Sequence, residues 1–182
     1  MIDARIPVLG FAAYSGTGKT TLLKQLLPLL RKQGLRIGMI KHTHHDFDID
    51  QPGKDSYELR KAGASEMLVA SGRRWALMVE TEKSGDPVLQ DMIGRLDQSA
   101  LDLILVEGFK HEQFPKIELH RESLNKPLLY PEDHSIIAFA SDGEADADMK
   151  LAQLNLNDVD EISAFVADWL QQDNVTGKTL GL

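Results

Sequence analysis

PVLGFAAYSGTGKTTLLKQLLPLLRKQG, residues 7–34, decides how the rest of the chain is read. It opens with the unbroken apolar run PVLGFAA (7–13), which suits a strand buried on both faces of a parallel sheet. It closes with Leu22, Leu23, Leu26, Leu27 and Leu30 at the spacing of one helical face, with Gly34 as the stop. Between the two, Ala13-Tyr14-Ser15-Gly16-Thr17-Gly18-Lys19-Thr20 has the spacing of a Walker A loop, except that Ala13 stands where glycine is usual. Such a loop turns successive backbone N–H groups into a concave anion nest. The helix that follows adds unpaired amides and the positive end of its dipole. Gly16 and Gly18 permit main-chain conformations and close approach that a β-carbon would hinder. The phosphate site is therefore expected at Ser15, Gly16, Thr17, Gly18, Lys19, Thr20 and Thr21. In it Lys19 reaches the β- and γ-phosphates and the Thr20 hydroxyl meets Mg²⁺. A second Gly-Lys-Thr, Gly177-Lys178-Thr179, has no buried strand before it and no helix after it, and reads as coincidence.

Outward from this unit, strands and helices alternate. Strands are predicted at Ile37–Lys41, 67–70, Trp75–Val79, 101–106, Lys116–His120 and 135–140, with 67–79 set up as a hairpin around Ser71-Gly72-Arg73-Arg74. The alternating pattern of Lys116–His120 suits a strand nearer an edge. Helices are predicted at 56–62, closed by Gly63, at 86–95 with Asp86 as cap and Pro87 at the first position, and at 158–170. This order predicts an α/β, three-layer P-loop NTPase-like fold, with a mostly parallel sheet and helices on both faces. Ligands of such sheets collect beyond the carboxyl ends of the strands, so the loops after Ala13, Lys41, Val106 and Ala140 carry the candidates.

The chain has 182 residues, which predicts one nucleotide-binding domain over 1–172 and a flexible tail over 173–182. Its make-up, 42% hydrophobic and 26% charged, is that of a globular protein rather than a disordered one. Acids outnumber bases 28 to 20, and the net charge of −8 has the wrong sign for broad attachment to nucleic acid or an anionic membrane. An anionic ligand must be held locally. There is no cysteine, no stretch long and apolar enough to span a bilayer, and Asp3 and Pro7 argue against a secretory signal, so the expected location is the cytoplasm.

Glu107 follows the apolar strand LDLILV, where a Walker B strand delivers an acid toward Mg²⁺. Because Mg²⁺ keeps several waters, a glutamate could act through one of them, and the competing reading is an acid that only caps a loop. The loop Lys41-His42-Thr43-His44-His45-Asp46-Phe47-Asp48-Ile49-Asp50 holds half of the six histidines. It lacks the spacing of a helical zinc site, which leaves two main readings. In one, Lys41, His42, His44, His45, Asp46 and Asp48 face the nucleotide's terminal phosphate or a partner; in the other this is a solvated loop. Asn125-Lys126-Pro127-Leu128 has leucine in place of the acid of the Asn-Lys-x-Asp guanine motif and is set aside. Asp142 is the better base reader, since a carboxylate can accept from both N1–H and the 2-amino group of guanine; the alternative is an Asp that opens the turn Ser141-Asp142-Gly143.

Together, YSGTGKTTL, IKHTHHDFDIDQPGKDSYELRKAGA and LDLILVEGFK closely resemble the molybdopterin-guanine dinucleotide biosynthesis protein B (MobB) family, over most of residues 6–170. The resemblance implies a small P-loop protein that binds GTP and Mg²⁺, hydrolyses GTP weakly and forms a homodimer. It also implies assistance to the molybdenum cofactor guanylyltransferase that attaches GMP to molybdopterin, with the molybdopterin intermediate as a further partner. On matching positions it carries over Ser15 to Thr21 as the phosphate site, Thr20 and Glu107 as the metal side, and residues 41–50 as the loop facing nucleotide or partner. The residues themselves supply no evident catalytic base, no glutamine placed to orient water and no assured arginine finger, with Arg60, Arg73 and Arg74 as candidates; turnover is expected to be slow. The rival from another class is a P-loop small-molecule kinase or ATP-dependent ligase, which would need an acceptor pocket and rapid turnover.

Overall fold

The computed structural model describes residues 2–43, 47–81, 85–144 and 146–177, with side chains to Asp173. The chain divides into two compact units, one made of Met1–His42 and Val88–Leu182, the other of Thr43–Pro87.

In the larger unit the apolar runs become strands β1 (Val8–Ala12) and β2 (Ile37–Lys41) with α1 (Lys19–Lys32) between them. The smaller unit holds α2 (Asp55–Lys61) and strands β3 (Glu66–Ala70) and β4 (Trp75–Val79). The larger unit resumes with α3 (Leu89–Gly94), β5 (Leu103–Glu107), β6 (Lys116–His120), β7 (Ile136–Ser141), β8 (Ala152–Asn155) and α4 (Val159–Gly177). Six strands form one sheet in the order β2-β5-β1-β6-β7-β8, and every pairing in it is parallel. The expected three-layer arrangement is present, because alternate residues of the strands feed two cores. Leu9, Phe11, Leu103, Leu105, Ile117 and Leu119 join Leu22, Leu26 and Leu30 of α1 and Ile162 and Val166 of α4. On the opposite face Val8, Ile40, Ile104 and Val106 pack with Leu89 and Ile93 of α3. Among the described residues, no helix is long and apolar enough to cross a membrane.

Besides the strand β8, which the sequence reading does not contain, three elements differ from it. The helix expected from Asp86 begins only at Leu89, with Val88 as cap in an extended conformation. The terminal helix runs past Leu170 to Gly177. The third difference, β6, lies between β1 and β7 rather than near an edge. Its alternation arises because the face opposite Ile117 and Leu119 is covered by loop backbone and not by a helix. Lys116, fully buried, donates to Lys110 O (3.1 Å) and Glu112 O and pairs with Asp133 at 2.6 Å. Glu118 accepts from the amides of Leu129 and Tyr130, each at 2.8 Å. Burial raises the Glu118 carboxyl above its ordinary value, against those two amides. Gly10 of β1 lies alongside: a β-carbon there would sit 2.6 Å from Phe114 and 2.7 Å from Lys116. The buried lysine thus fixes the 108–115 segment that leaves β5.

The smaller unit has a polar centre. Arg60, only 8% exposed, donates to both oxygens of Asp48 (2.6 and 2.7 Å) and to Glu80. Its β3 and β4 pair antiparallel, Leu68 opposite Leu77 and Ala70 opposite Trp75, as the hairpin pattern predicts.

Removing one partner of a buried ion pair strands the other, at a cost of about 3–5 kcal/mol. Lys116→Ala is expected to lose stability in that range in urea unfolding. A loss below about 1 kcal/mol would show that the 108–115 and 133 segments do not depend on this ammonium.

Candidate nucleotide-binding site

The ends of β1, β2 and β5 lie side by side, and each delivers one part of the site. After β1 the chain turns through Gly16 (φ 86°) and Gly18 (φ 100°), both left-handed, where an L side chain is strained. Thr17 is buried, and its hydroxyl donates to Tyr14 O at 2.9 Å, which closes the loop on itself. Gly18 caps α1 without any side-chain hydrogen bond, and the first turn of α1 carries no acid. Its leading amides are therefore left to an external acceptor, with a dipole that favours an anion. Ser15, Thr20 and Thr21 are exposed around this opening.

Lys19 folds back over the loop, donating to Ala13 O (3.0 Å) and Tyr14 O (3.1 Å). Burial pushes this ammonium below its ordinary value, Glu107 pulls it up, and Lys41 and Lys110 push it further down. Two neighbouring lysines and a single carboxylate thus surround the Lys19 charge, a balance that a polyphosphate would shift toward neutrality.

Glu107 ends β5 as the ladder partner of Lys41 on β2, and the two side chains pair at 3.3 Å. The carboxylate is mostly enclosed, whereas Lys41 is 57% exposed and able to turn away. A hard oxygen donor at Glu107 and a hydroxyl at Thr20 suit Mg²⁺, which takes one or two protein oxygens and keeps several waters. His42 hands its amide to Glu107 O (2.8 Å) and stacks on Phe109 with ring centroids 4.7 Å apart. Its Cβ fills the space beside Gly108, where a β-carbon would lie 2.7 Å away.

Asp142, at the end of β7, is engaged through both oxygens: Oδ1 accepts from the Glu122 amide (3.0 Å) and Oδ2 from Arg121 (2.9 Å). The Glu122 amide first, and Arg121 with it, hold the carboxyl below its ordinary value against partial burial. Asp48 belongs to the smaller unit and is taken up by Arg60, itself a candidate finger. Arg73 and Arg74 are exposed in the β3–β4 turn. His44, His45 and Asp46 lie outside the described residues.

Three cations near the loop were not singled out from sequence. Lys110 and Lys126 flank the Tyr14 ring, with Nζ 5.6 and 6.0 Å from its centroid, and Arg121 reaches Thr17 O at 3.3 Å. Lys110 stands three residues beyond Glu107, a position the Walker B reading could have flagged; Lys126 lies in the Asn-Lys segment that was set aside. For Arg121 the sequence holds no signal, because its place depends on β6 lying next to β1.

The family model "Molybdopterin guanine dinucleotide synthesis protein B" matches residues 8–142. The chain is 55% identical over 170 residues to the molybdopterin-guanine dinucleotide biosynthesis adapter protein of Escherichia coli (strain K12), covering 93% of this chain and 96% of that one. To the protein of the same name from Haemophilus influenzae it is 44% identical, covering 93% and 92%. Among solved structures, molybdopterin-guanine biosynthesis protein B matches with a TM-score of 0.68 at 24% identity, covering 90% of this chain and 99% of that one. A MobB protein homolog from Bacillus stearothermophilus matches with a TM-score of 0.66 at 23% identity, covering 91% and 98%. The structural likenesses bear on the fold.

Lys19→Ala removes the cation that spans the loop, and its affinity for a nucleoside triphosphate is expected to fall at least about 100-fold, equivalent to about two charge-assisted hydrogen bonds. Titration calorimetry checks this alongside a circular dichroism spectrum that stays native. Unchanged affinity in the folded variant would remove the loop from the binding site.

Proposed function

The chain belongs to the molybdopterin guanine dinucleotide synthesis protein B family, and on that premise we propose that it is a GTP- and Mg²⁺-binding adapter for the guanylyltransferase step of molybdopterin-guanine dinucleotide formation. The adapter role comes with the family. The observation that carries the nucleotide is the glycine loop with uncapped amides, closed by Lys19 and set next to the Lys41–Glu107 pair.

In this reading the loop amides and Lys19 hold the phosphates, the Thr20 hydroxyl and Glu107 face the metal, and Lys41 leaves Glu107 for the terminal phosphate. Bound Mg²⁺ would supply charge neutralisation across the phosphate oxygens. Asp142 accepts from the guanine base, and His42, together with His44, His45, Asp46 and Asp48, belongs to the face toward nucleotide or partner. Hydrolysis is slow, a reading supported by the engagement of the candidate cations: in the smaller unit Arg60 is bound to Asp48 and Glu80, and beside the phosphate loop Arg121 is bound to Asp142. The phosphate loop is thus built to hold and present a nucleotide rather than to turn it over quickly.

The working unit is a homodimer. Leu68, Ala70, Trp75, Leu77 and Val79 share one face of the β3–β4 hairpin, and Leu68 and Trp75 are 60% and 69% exposed. Among the described residues this two-stranded sheet pairs with no other strand and leaves a largely apolar face exposed, with Glu66 opposite Val79 at its end; such a sheet is marginal by itself, and a second copy offers a self-complementary surface. Trp75→Glu is expected to shift the sedimentation of the protein from dimer to monomer; an unchanged dimer would place the interface elsewhere.

Thermal unfolding with GTP, ATP or neither, with and without Mg²⁺, tests the nucleotide. At about 100 times Kd, GTP with Mg²⁺ is expected to add about 2.7 kcal/mol and to raise the midpoint by roughly 5 to 10 °C. Equal shifts with ATP would contradict the guanine assignment, and no shift with either would contradict the nucleotide site.

A further inference from the structure

One side chain, Arg121, joins the ends of β6, β7 and β8 to the phosphate loop. Its Nε donates to Thr17 O (3.3 Å), and its terminal nitrogens donate to Asp142 Oδ2 (2.9 Å) and Asn157 Oδ1 (3.4 Å). The surroundings are close-fitting. A β-carbon on Gly143 would meet Glu122 Oε1 at 2.0 Å, and one on Gly18 would lie 3.8 Å from the Arg121 guanidinium. Arg121 and Asp142 nonetheless keep 31% and 21% of their side-chain surface exposed, so a ligand seated on the loop can reach them.

The chemistry of that contact is specific. A guanidinium offers a carboxylate parallel N–H donors in one plane. Guanine carries the same unit in its ring: N1, C2 and the 2-amino nitrogen present two coplanar N–H donors on one edge. Adenine presents an acceptor at N1 instead. Arg121 places one such N–H on Asp142 Oδ2 while Oδ1 takes the Glu122 amide, so the oxygen that a guanine edge would claim is held by a planar N–H donor of the same kind, at the end of β7 and beyond the same sheet edge as the phosphate loop.

We propose that the ends of β6, β7 and β8 form a base subsite for guanine, in which Arg121 is a resident surrogate that the base displaces from Asp142. This rests on the reading of the phosphate loop as a guanine nucleotide site. Once displaced, Arg121 retains Thr17 O and Asn157 Oδ1, so it stays at the rim with its charge beside the loop. The exchange gives up a charge-assisted hydrogen bond for two from a neutral base, so Arg121 holds guanine affinity below what Asp142 alone would give. That suits a protein that must part with its nucleotide. It also shields the Asp142 carboxylate when no base is bound, in a chain whose net charge is −8.

The test is calorimetric binding of GTP, ITP and ATP, each with Mg²⁺, to the full-length protein and to Arg121→Ala and Asp142→Asn. Arg121→Ala is expected to bind GTP about tenfold more tightly, the loss of one competing hydrogen bond, with ITP improved and ATP not. Asp142→Asn is expected to lose about tenfold or more of the preference for GTP over ATP. If Arg121→Ala weakens all three nucleotides in parallel, Arg121 only supports Thr17 and the surrogate role is overturned; unchanged GTP affinity overturns it equally. A wild-type protein that binds GTP and ATP alike would instead overturn the guanine reading on which the proposal rests, whereas wild-type preference retained in Asp142→Asn would overturn the subsite alone.

Discussion

The turn from β1 into α1 is the constraint on which the rest depends. Two left-handed glycines, Gly16 and Gly18, let the chain reverse without a β-carbon facing the opening, and the helix then starts with no acid and no side-chain cap. That arrangement leaves N–H groups unspent at the centre of a parallel sheet edge, a state that an anion relieves. Lys19 meanwhile ties its ammonium to Ala13 O and Tyr14 O, so the cation is stored where a phosphate would draw it.

Charge is distributed to serve that point. A net charge of −8 implies repulsion of any polyphosphate at long range, yet screening confines scattered surface acids to roughly 8 Å at physiological salt. Within contact distance the balance reverses. Lys110 and Lys126 flank Tyr14, Arg121 touches Thr17, and Lys41 sits on Glu107. Two acids at that edge, Glu107 and Asp142, are each paired with a cation, Lys41 and Arg121. Overall charge and local site therefore do not conflict.

Much of this was legible in the chain because local pattern and tertiary position agreed. PVLGFAA becomes a central strand, the leucines of α1 face the core, and Ser71-Gly72-Arg73-Arg74 turns a hairpin. The misreadings come from tertiary partners that local pattern does not show, or from a weak local pattern. Lys116 and Glu118 in β6 look like residues of an edge strand, but loop carbonyls, loop amides and Asp133 satisfy them in the interior. The strand β8 is short, and AQLN lacks the β-branched residues that mark strands. Arg121 was invisible for a related reason: its partners Thr17, Asp142 and Asn157 meet it only once the strand order is known. Asp48, which the sequence places on the nucleotide- or partner-facing loop, also pairs with Arg60 in the smaller unit, a contact that no local pattern announces.

Amide hydrogen exchange, read residue by residue with and without Mg²⁺ and a non-hydrolysable GTP analogue, addresses the central point most directly. The account predicts that protection gained on binding is greatest at the amides of residues 15–20, where the chain turns from β1 into α1. Strong protection elsewhere in the protein, with those amides exchanging as freely as before, would contradict it.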